Sequence, residues 1–274
     1  MSTEHVSYTS YLKVDELLSL QQPLSDGPEH DELLFIVIHQ TYELWFKQVL
    51  HEMAALQPAL EAGDTHRSLA LLKRIRTILK TCVSQIDILE TMTPLQFNSF
   101  RARLKSSSGF QSAQFRELEA MLGRRDRAGA DAPAHTGMGM AEHLVAGSPA
   151  RARVEAAMGR RSVWDSTLRF FDARGYKIPV EVLERDATLA YESTPEVEQS
   201  LLEAHRNDPE CNLIGEALLD IDEGLQEWRY RHVKMVERTI GHKIGTGGSS
   251  GIAYLSSTLF RPTFPELWAI RSQF

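Results

Sequence analysis

The chain reads as an all-α protein. Apolar residues recur at steps of three and four along several long segments, and no segment alternates apolar and polar residues for the length of a half-buried strand. Thr93-Pro94 adds a helix-start signal, a capping hydroxyl followed by a proline whose missing N–H is not needed at the first helical position. With 274 residues, 42% of them hydrophobic, the chain can bury a sizeable core, and with no internal repeat it reads as one domain over 1–274.

The first strong helix starts near residue 30 and runs to about 56, where Pro58 is expected to stop it. Residues 33–46 are apolar nearly all round, so His39, Gln40 and Glu43 lie in largely dry surroundings and each needs a polar partner. A second helix spans about 65–92, with Leu69, Leu72, Leu79, Val83 and Ile86 on one stripe. Thr93-Pro94 then opens a short helix carrying Phe97, Phe100, Arg101 and Leu104, which Ser106-Ser107-Ser108-Gly109 ends. After a helix at about 112–122, residues 123–149 turn rich in Gly, Ala, Pro and Arg and suggest a mobile surface excursion. Short helices at about 150–158, 162–173, 179–187 and 195–206 precede a long one at about 212–241. The glycine-rich run 245–251 is a flexible loop before a closing helical tail.

Composition narrows the function. A net charge of −7 leaves no electrostatic footprint for nucleic acid, and Arg124-Arg125-Asp126-Arg127 reads as solvated surface. Cys82 and Cys211 occupy apolar helical positions and read as small buried hydrophobes with reduced thiols. The N-terminus lacks a basic start and apolar stretch, and no apolar run reaches the roughly 18 residues of a membrane span. The expectation is a cytoplasmic protein with no membrane partner.

His232 is the most informative residue. Ile214, Leu218, Ile221, Leu225, Trp228, His232, Met235 and Thr239 share one face of the last long helix, so a histidine stands where a core residue belongs. Left unpaired in the interior it would cost about 1–3 kcal/mol, so it needs a hydrogen bond or a metal. A di-iron centre is excluded, because none of the ten histidines has Glu three residues before it. His-Glu-x-x-His and Cys-x-x-Cys-His are absent, and the 245–251 loop lacks Gly-Lys-Ser/Thr and follows a helix, so it is no phosphate loop.

What remains is Phe35 with His39 and Phe97 with Arg101, two i, i+4 pairs that each set an aromatic ring beside a polar head, together with the Ser108-Gly109 turn and Thr246. That set suits an aromatic amino acid. Arginine can grip a carboxylate with two parallel bonds, a threonine hydroxyl can meet an ammonium, neutral histidine can accept from an indole N–H, and phenylalanine can wall the ring. Each residue also has a plain structural reading: Arg101 as surface, His39 as a satisfied core histidine, the glycine loop as a connector.

Longer runs carry a resemblance: Tyr8-Thr9-Ser10-Tyr11-Leu12, residues 30–45, Phe97 through Arg101 to Ser112, Trp228-Arg229-Tyr230-Arg231-His232, 245–251 and Phe264-Pro265-Glu266-Leu267. Together they resemble the haem-dependent tryptophan 2,3-dioxygenases over nearly the whole chain. The resemblance implies a helical-bundle haem protein with an extra small helical subdomain, in which His232 binds the iron of a b-type haem through Nε2, one haem per subunit. It implies that Arg101 clamps the substrate carboxylate, Thr246 helps hold the ammonium and His39 meets the indole nitrogen. Phe35 and Phe97 would pack the ring, and Ser108 and Gly109 would line the pocket. Tyr8, Tyr11 and Leu12 would reach into a neighbouring subunit of a homotetramer, a dimer of dimers. The implied substrates are L-tryptophan and dioxygen, and the product is N-formyl-L-kynurenine. Position 97 is Phe where some relatives carry Tyr, and 123–149 has no clear counterpart. The same fold also accommodates a monooxygenase that yields an oxindole, or a haem-binding sensor without turnover.

Overall fold

The structure, a computed structural model, describes residues 6–27, 29–105, 107, 109–125, 140–241, 243 and 252–274. It is all-α: no strand occurs among the described residues. The chain opens with two short helices, α1 (Tyr8–Leu12) and α2 (Val14–Leu18), neither of which buries a residue. Ser7 and Ser10 close a reciprocal cap on α1. The centre is built by α3 (His30–Glu61) and α4 (Thr65–Leu89), joined later by α11, which packs on α4.

Pro58 lies inside α3 and does not stop it. The buried face runs on across the proline through Leu56, Ala59 and Leu60, and a proline this close to the C-terminus forfeits a single ladder bond. Along α4, Leu72, Ile75, Leu79 and Ile86 are buried, each contributing about 1.5–3 kcal/mol of transfer free energy. Gln40 and Glu43 find the partners their position demands: Gln40 donates to the Leu20 carbonyl, and Glu43 accepts from Ser112 and Gln114.

The next helix is α5 (Pro94–Arg101), opened by Thr93 with Gln96 closing the reciprocal cap, and continued by 3-10 turns at Ala102–Leu104 and Gly109–Gln111. Ser112 caps α6 (Ala113–Leu122), and α7 (Pro149–Met158) packs against it. The 123–149 stretch departs from a mobile excursion where it is described. Met140, Ala141 and Leu144 are buried, the last two in a small cluster with Ala113 and Val154; residues 126–139 lie outside the description.

Nor are Arg124 and Arg125 solvated surface. Arg125 is buried and donates to the carbonyls of Ala120, Arg124, Arg160 and Ala187, tying the end of α6 to distant loops. Guanidinium, with five donors in a fixed fork, can knit loops in this way, which composition does not reveal.

Beyond α8 (Val163–Ala173), α9 (Val180–Leu183) ends four residues before the expected 187. Arg169 takes the Leu183 carbonyl, and Arg185 turns onto Asp165 at 2.8 Å, so side chains satisfy the groups a longer helix would have used. After α10 (Pro195–Asn207), α11 (Pro209–Ile240) begins at Pro209, three residues earlier than expected, because Asp208 caps the Glu210 and Cys211 N–H groups. The chain closes with α12 (Ile252–Ser257), α13 (Pro265–Ala269) and a 3-10 turn at Ile270–Gln273. One Asp222 oxygen, on buried α11, accepts from the N–H groups of Thr263 and Phe264 and from the Trp268 indole, fastening this closing segment. Both cysteines are buried and free, and no described helix is long and apolar enough to cross a membrane.

Candidate functional site

Three helices bring the site together. On α3, Phe35 and His39 lie one turn apart with ring centroids 4.1 Å from each other. Phe97 of α5 stands 5.8 Å from Phe35, and the buried Phe100 completes the aromatic wall at 5.6 Å from Phe35 and 5.5 Å from Phe97. Arg101, partly buried, is the last residue of α5, one turn beyond Phe97. The Phe35–His39 pair therefore forms as its spacing predicts, and Phe97 and Arg101 share α5 one turn apart.

The hydrogen bond of His39 fixes its chemistry. Its Nδ1 is 2.7 Å from the Phe35 carbonyl, which can only accept, so Nδ1 carries the proton and Nε2 is left as an acceptor. The ring keeps solvent access on its open side while chain encloses the rest. That enclosure pulls its pKa below the ordinary histidine value, against the opposing effects of the Phe35 carbonyl and Glu43. His39 is thus a neutral imidazole presenting a lone pair.

On α11, the partly buried His232 is held neutral more firmly. Burial, with smaller contributions from His39 and Arg116, pushes its pKa down to about 4, so the two histidines are close enough for the charge of one to be felt by the other. No described residue hydrogen-bonds its ring. It stacks on Trp228, centroids 5.1 Å apart and planes 3° from parallel.

Behind the site lies a charge cluster that the sequence reading missed. Glu119 of α6, 3% exposed, binds Arg116 at 2.6 Å and Arg229 at 3.0 Å, with Arg124 on the same carboxylate. Burial alone would raise its pKa; the three guanidiniums outweigh that and hold it at about 2. The spacing of Arg116 and Glu119 was a visible local signal, but the reach of Arg229 across 110 residues was not.

Gly109 starts its 3-10 turn in the open, where an added Cβ would meet nothing within 4 Å. Tyr8, Tyr11 and Leu12 are exposed on α1 at 76%, 75% and 46%. Ser108, Thr246 and the 245–251 loop lie outside the described residues.

Fold and site together define a helical protein in which an aromatic cluster of α3 and α5 carries one neutral histidine and α11 carries a second. Residues 1–132 and 207–274 match the tryptophan 2,3-dioxygenase family model. The chain is 53% identical to a tryptophan 2,3-dioxygenase of Herpetosiphon aurantiacus over 98% of this chain and 99% of that one. It is 55% identical to one of Anaeromyxobacter sp. strain K over 97% and 95%, and 42% identical to one of Caulobacter vibrioides over 98% and 99%. The chain belongs to the tryptophan 2,3-dioxygenase family. It is an oxidoreductase of that class, and its expected all-α architecture is the one found.

Proposed function

We propose that the chain cleaves the C2–C3 bond of L-tryptophan with dioxygen, placing both oxygen atoms in N-formyl-L-kynurenine, and that it does so with one b-type haem per subunit. The observation that carries the haem reading is His232: a neutral imidazole on a core helix, hydrogen-bonded to no described residue and stacked in place. A histidine can bind a metal only through an unprotonated ring nitrogen, and a group taken into the interior without a partner is costly unless something binds it. His232 would hold the iron through Nε2. Haem, when bound, supplies the activation of dioxygen.

The remaining work falls to the chain. The Nε2 lone pair of His39 accepts from the indole N–H and orients the ring, because Nδ1 is already committed to the Phe35 carbonyl. Phe35 and Phe97 wall the indole and exclude water from it. Arg101 grips the carboxylate, Ser108 and Gly109 line the pocket, and Thr246 helps hold the ammonium. The absence of a hydroxyl at position 97 removes one polar contact while keeping the ring.

The exposed, uncapped-by-core face of α1 supports a further reading: Tyr8, Tyr11 and Leu12 complete the site of a neighbouring copy in a cytoplasmic homotetramer built as a dimer of dimers. The oxindole-forming monooxygenase and the non-catalytic haem protein are not favoured by relatives that bear the name tryptophan 2,3-dioxygenase. One experiment separates all three. Haem-loaded, reduced protein is given L-tryptophan in air and the product is weighed: a gain of two oxygens supports the proposal, a gain of one overturns it in favour of monooxygenation, and no gain overturns turnover. His232→Ala should lose the histidine-ligated haem spectrum, while His39→Ala should keep it.

A further inference from the structure

An imidazole bound to a metal through one nitrogen can swivel about the bond axis. The usual lock is a hydrogen bond from the other ring N–H to a carboxylate or carbonyl, which also strengthens the ligand by drawing it toward imidazolate. His232 has no such bond to any described residue, and the charged or titratable groups felt at its ring are His39 from α3 and Arg116 from α6, neither of which is an anion. A packing contact can set the plane of a ring where a hydrogen bond does not.

Trp228 does so geometrically. It precedes His232 by one turn of α11, and the two planes differ by only 3° at a centroid distance of 5.1 Å. The indole is held from other helices in turn. Phe115 of α6 packs on it at 5.0 Å, and Tyr42 of α3 meets it edge-on at 6.3 Å. Tyr42 is itself anchored by donating its hydroxyl proton to the Cys82 carbonyl of α4 at 2.9 Å. The Trp228 N–H lies beside the Tyr42 hydroxyl without closing a hydrogen bond, so what the indole offers the histidine is its face. Four helices thus converge to hold one flat surface against the histidine.

Resting on the reading of His232 as the axial haem ligand, we propose that Trp228 is the positioning residue for that ligand. Its indole plane takes the place of a hydrogen-bonded carboxylate in fixing the orientation of the imidazole. The consequence is a narrow range of ligand orientations combined with modest donor strength.

The test uses the haem-loaded full chain as wild type, Trp228→Met, which keeps bulk without a flat face, and Trp228→Phe, which keeps a smaller flat face. Electron paramagnetic resonance of the ferric cyanide adduct reads the imidazole orientation. The methionine variant should give broadened and shifted g-values with haem still bound, and the phenylalanine variant should recover most of the sharpness. A methionine variant as sharp as wild type, or a phenylalanine variant no sharper than methionine, overturns the proposal. A second measurement needs no variant: the iron–histidine stretch of the ferrous wild type should fall with neutral imidazole ligands, and a frequency typical of carboxylate-bonded histidine overturns it. His232→Ala is run alongside. If it retains a histidine-ligated spectrum, the ligand reading itself has failed, and not the role of Trp228.

Discussion

Replacing Glu266 by glutamine should stabilise the folded chain above neutral pH and do little in acid. Glu266 is fully buried on α13, and neither of its carboxyl oxygens has a hydrogen-bond partner; the Tyr191 hydroxyl lies beside it without closing one. Burial raises its pKa to about 7, with Glu198 adding to the rise and Tyr191 and Arg185 opposing it. Between the ordinary value of 4.5 and about 7, the unfolded chain has released this proton and the folded chain still holds it. Folding stability therefore falls as pH rises through that window and levels off above it. At about 1.4 kcal/mol for each tenfold difference in proton affinity, the loss reaches about 3 kcal/mol. Glutamine fills the same space with no proton to lose. Urea denaturation of both proteins at about pH 5 and about pH 8.5 should show their stability difference growing by about 3 kcal/mol in favour of the variant. A difference that is the same at both pH values refutes the assignment of a buried, protonated Glu266.

Three other outcomes follow from the geometry. Arg101→Leu should raise KM by the loss of a charged hydrogen bond, about 1.5–3 kcal/mol, while leaving the haem spectrum intact; an unchanged KM would remove Arg101 from the carboxylate. Glu119→Gln strips the countercharge from three arginines and should cost about 3–5 kcal/mol in denaturation, as for a buried pair broken on one side, and a near-neutral result would mean that the arginines find other anions. Gly215→Ala would place a Cβ 2.4 Å from Nε2 of the buried His205, a clash between two packed helices worth about 1–3 kcal/mol, visible as a lowered Tm, whereas Gly224→Ala, with nothing within 4 Å, should be tolerated.

Local patterns proved the most legible. Thr93-Pro94, the stripe on α11 and the Phe35–His39 pair each depend on neighbours within a turn, and each folded as its spacing implies. The departures share another cause. Helix α3 runs past Pro58 because distant core contacts outweigh one lost backbone bond, and α9 stops early because Arg169 and Arg185 reach its end from elsewhere. Arg125, read as solvated from its charged neighbours, is buried because four carbonyls scattered along the chain converge on it. Long-range polar partners leave no periodic trace. The same holds for the site: His39 and Arg101 could be singled out by spacing, whereas the tautomer of His39 and the indole plate behind His232 required coordinates.

Asp222 gives the order of chain synthesis a structural meaning. Its carboxylate lies wholly inside the protein, ten residues before His232 on the same helix, and the donors that reach it belong to residues 263–268. Burying that charge before its donors exist would cost several kcal/mol. While the chain is still emerging from the ribosome, α11 has reason to keep this face wet until residues 263–268 arrive to pair with it. A protein cut before residue 263 would leave that buried carboxylate without its donors, so these residues close the interior instead of trailing from it.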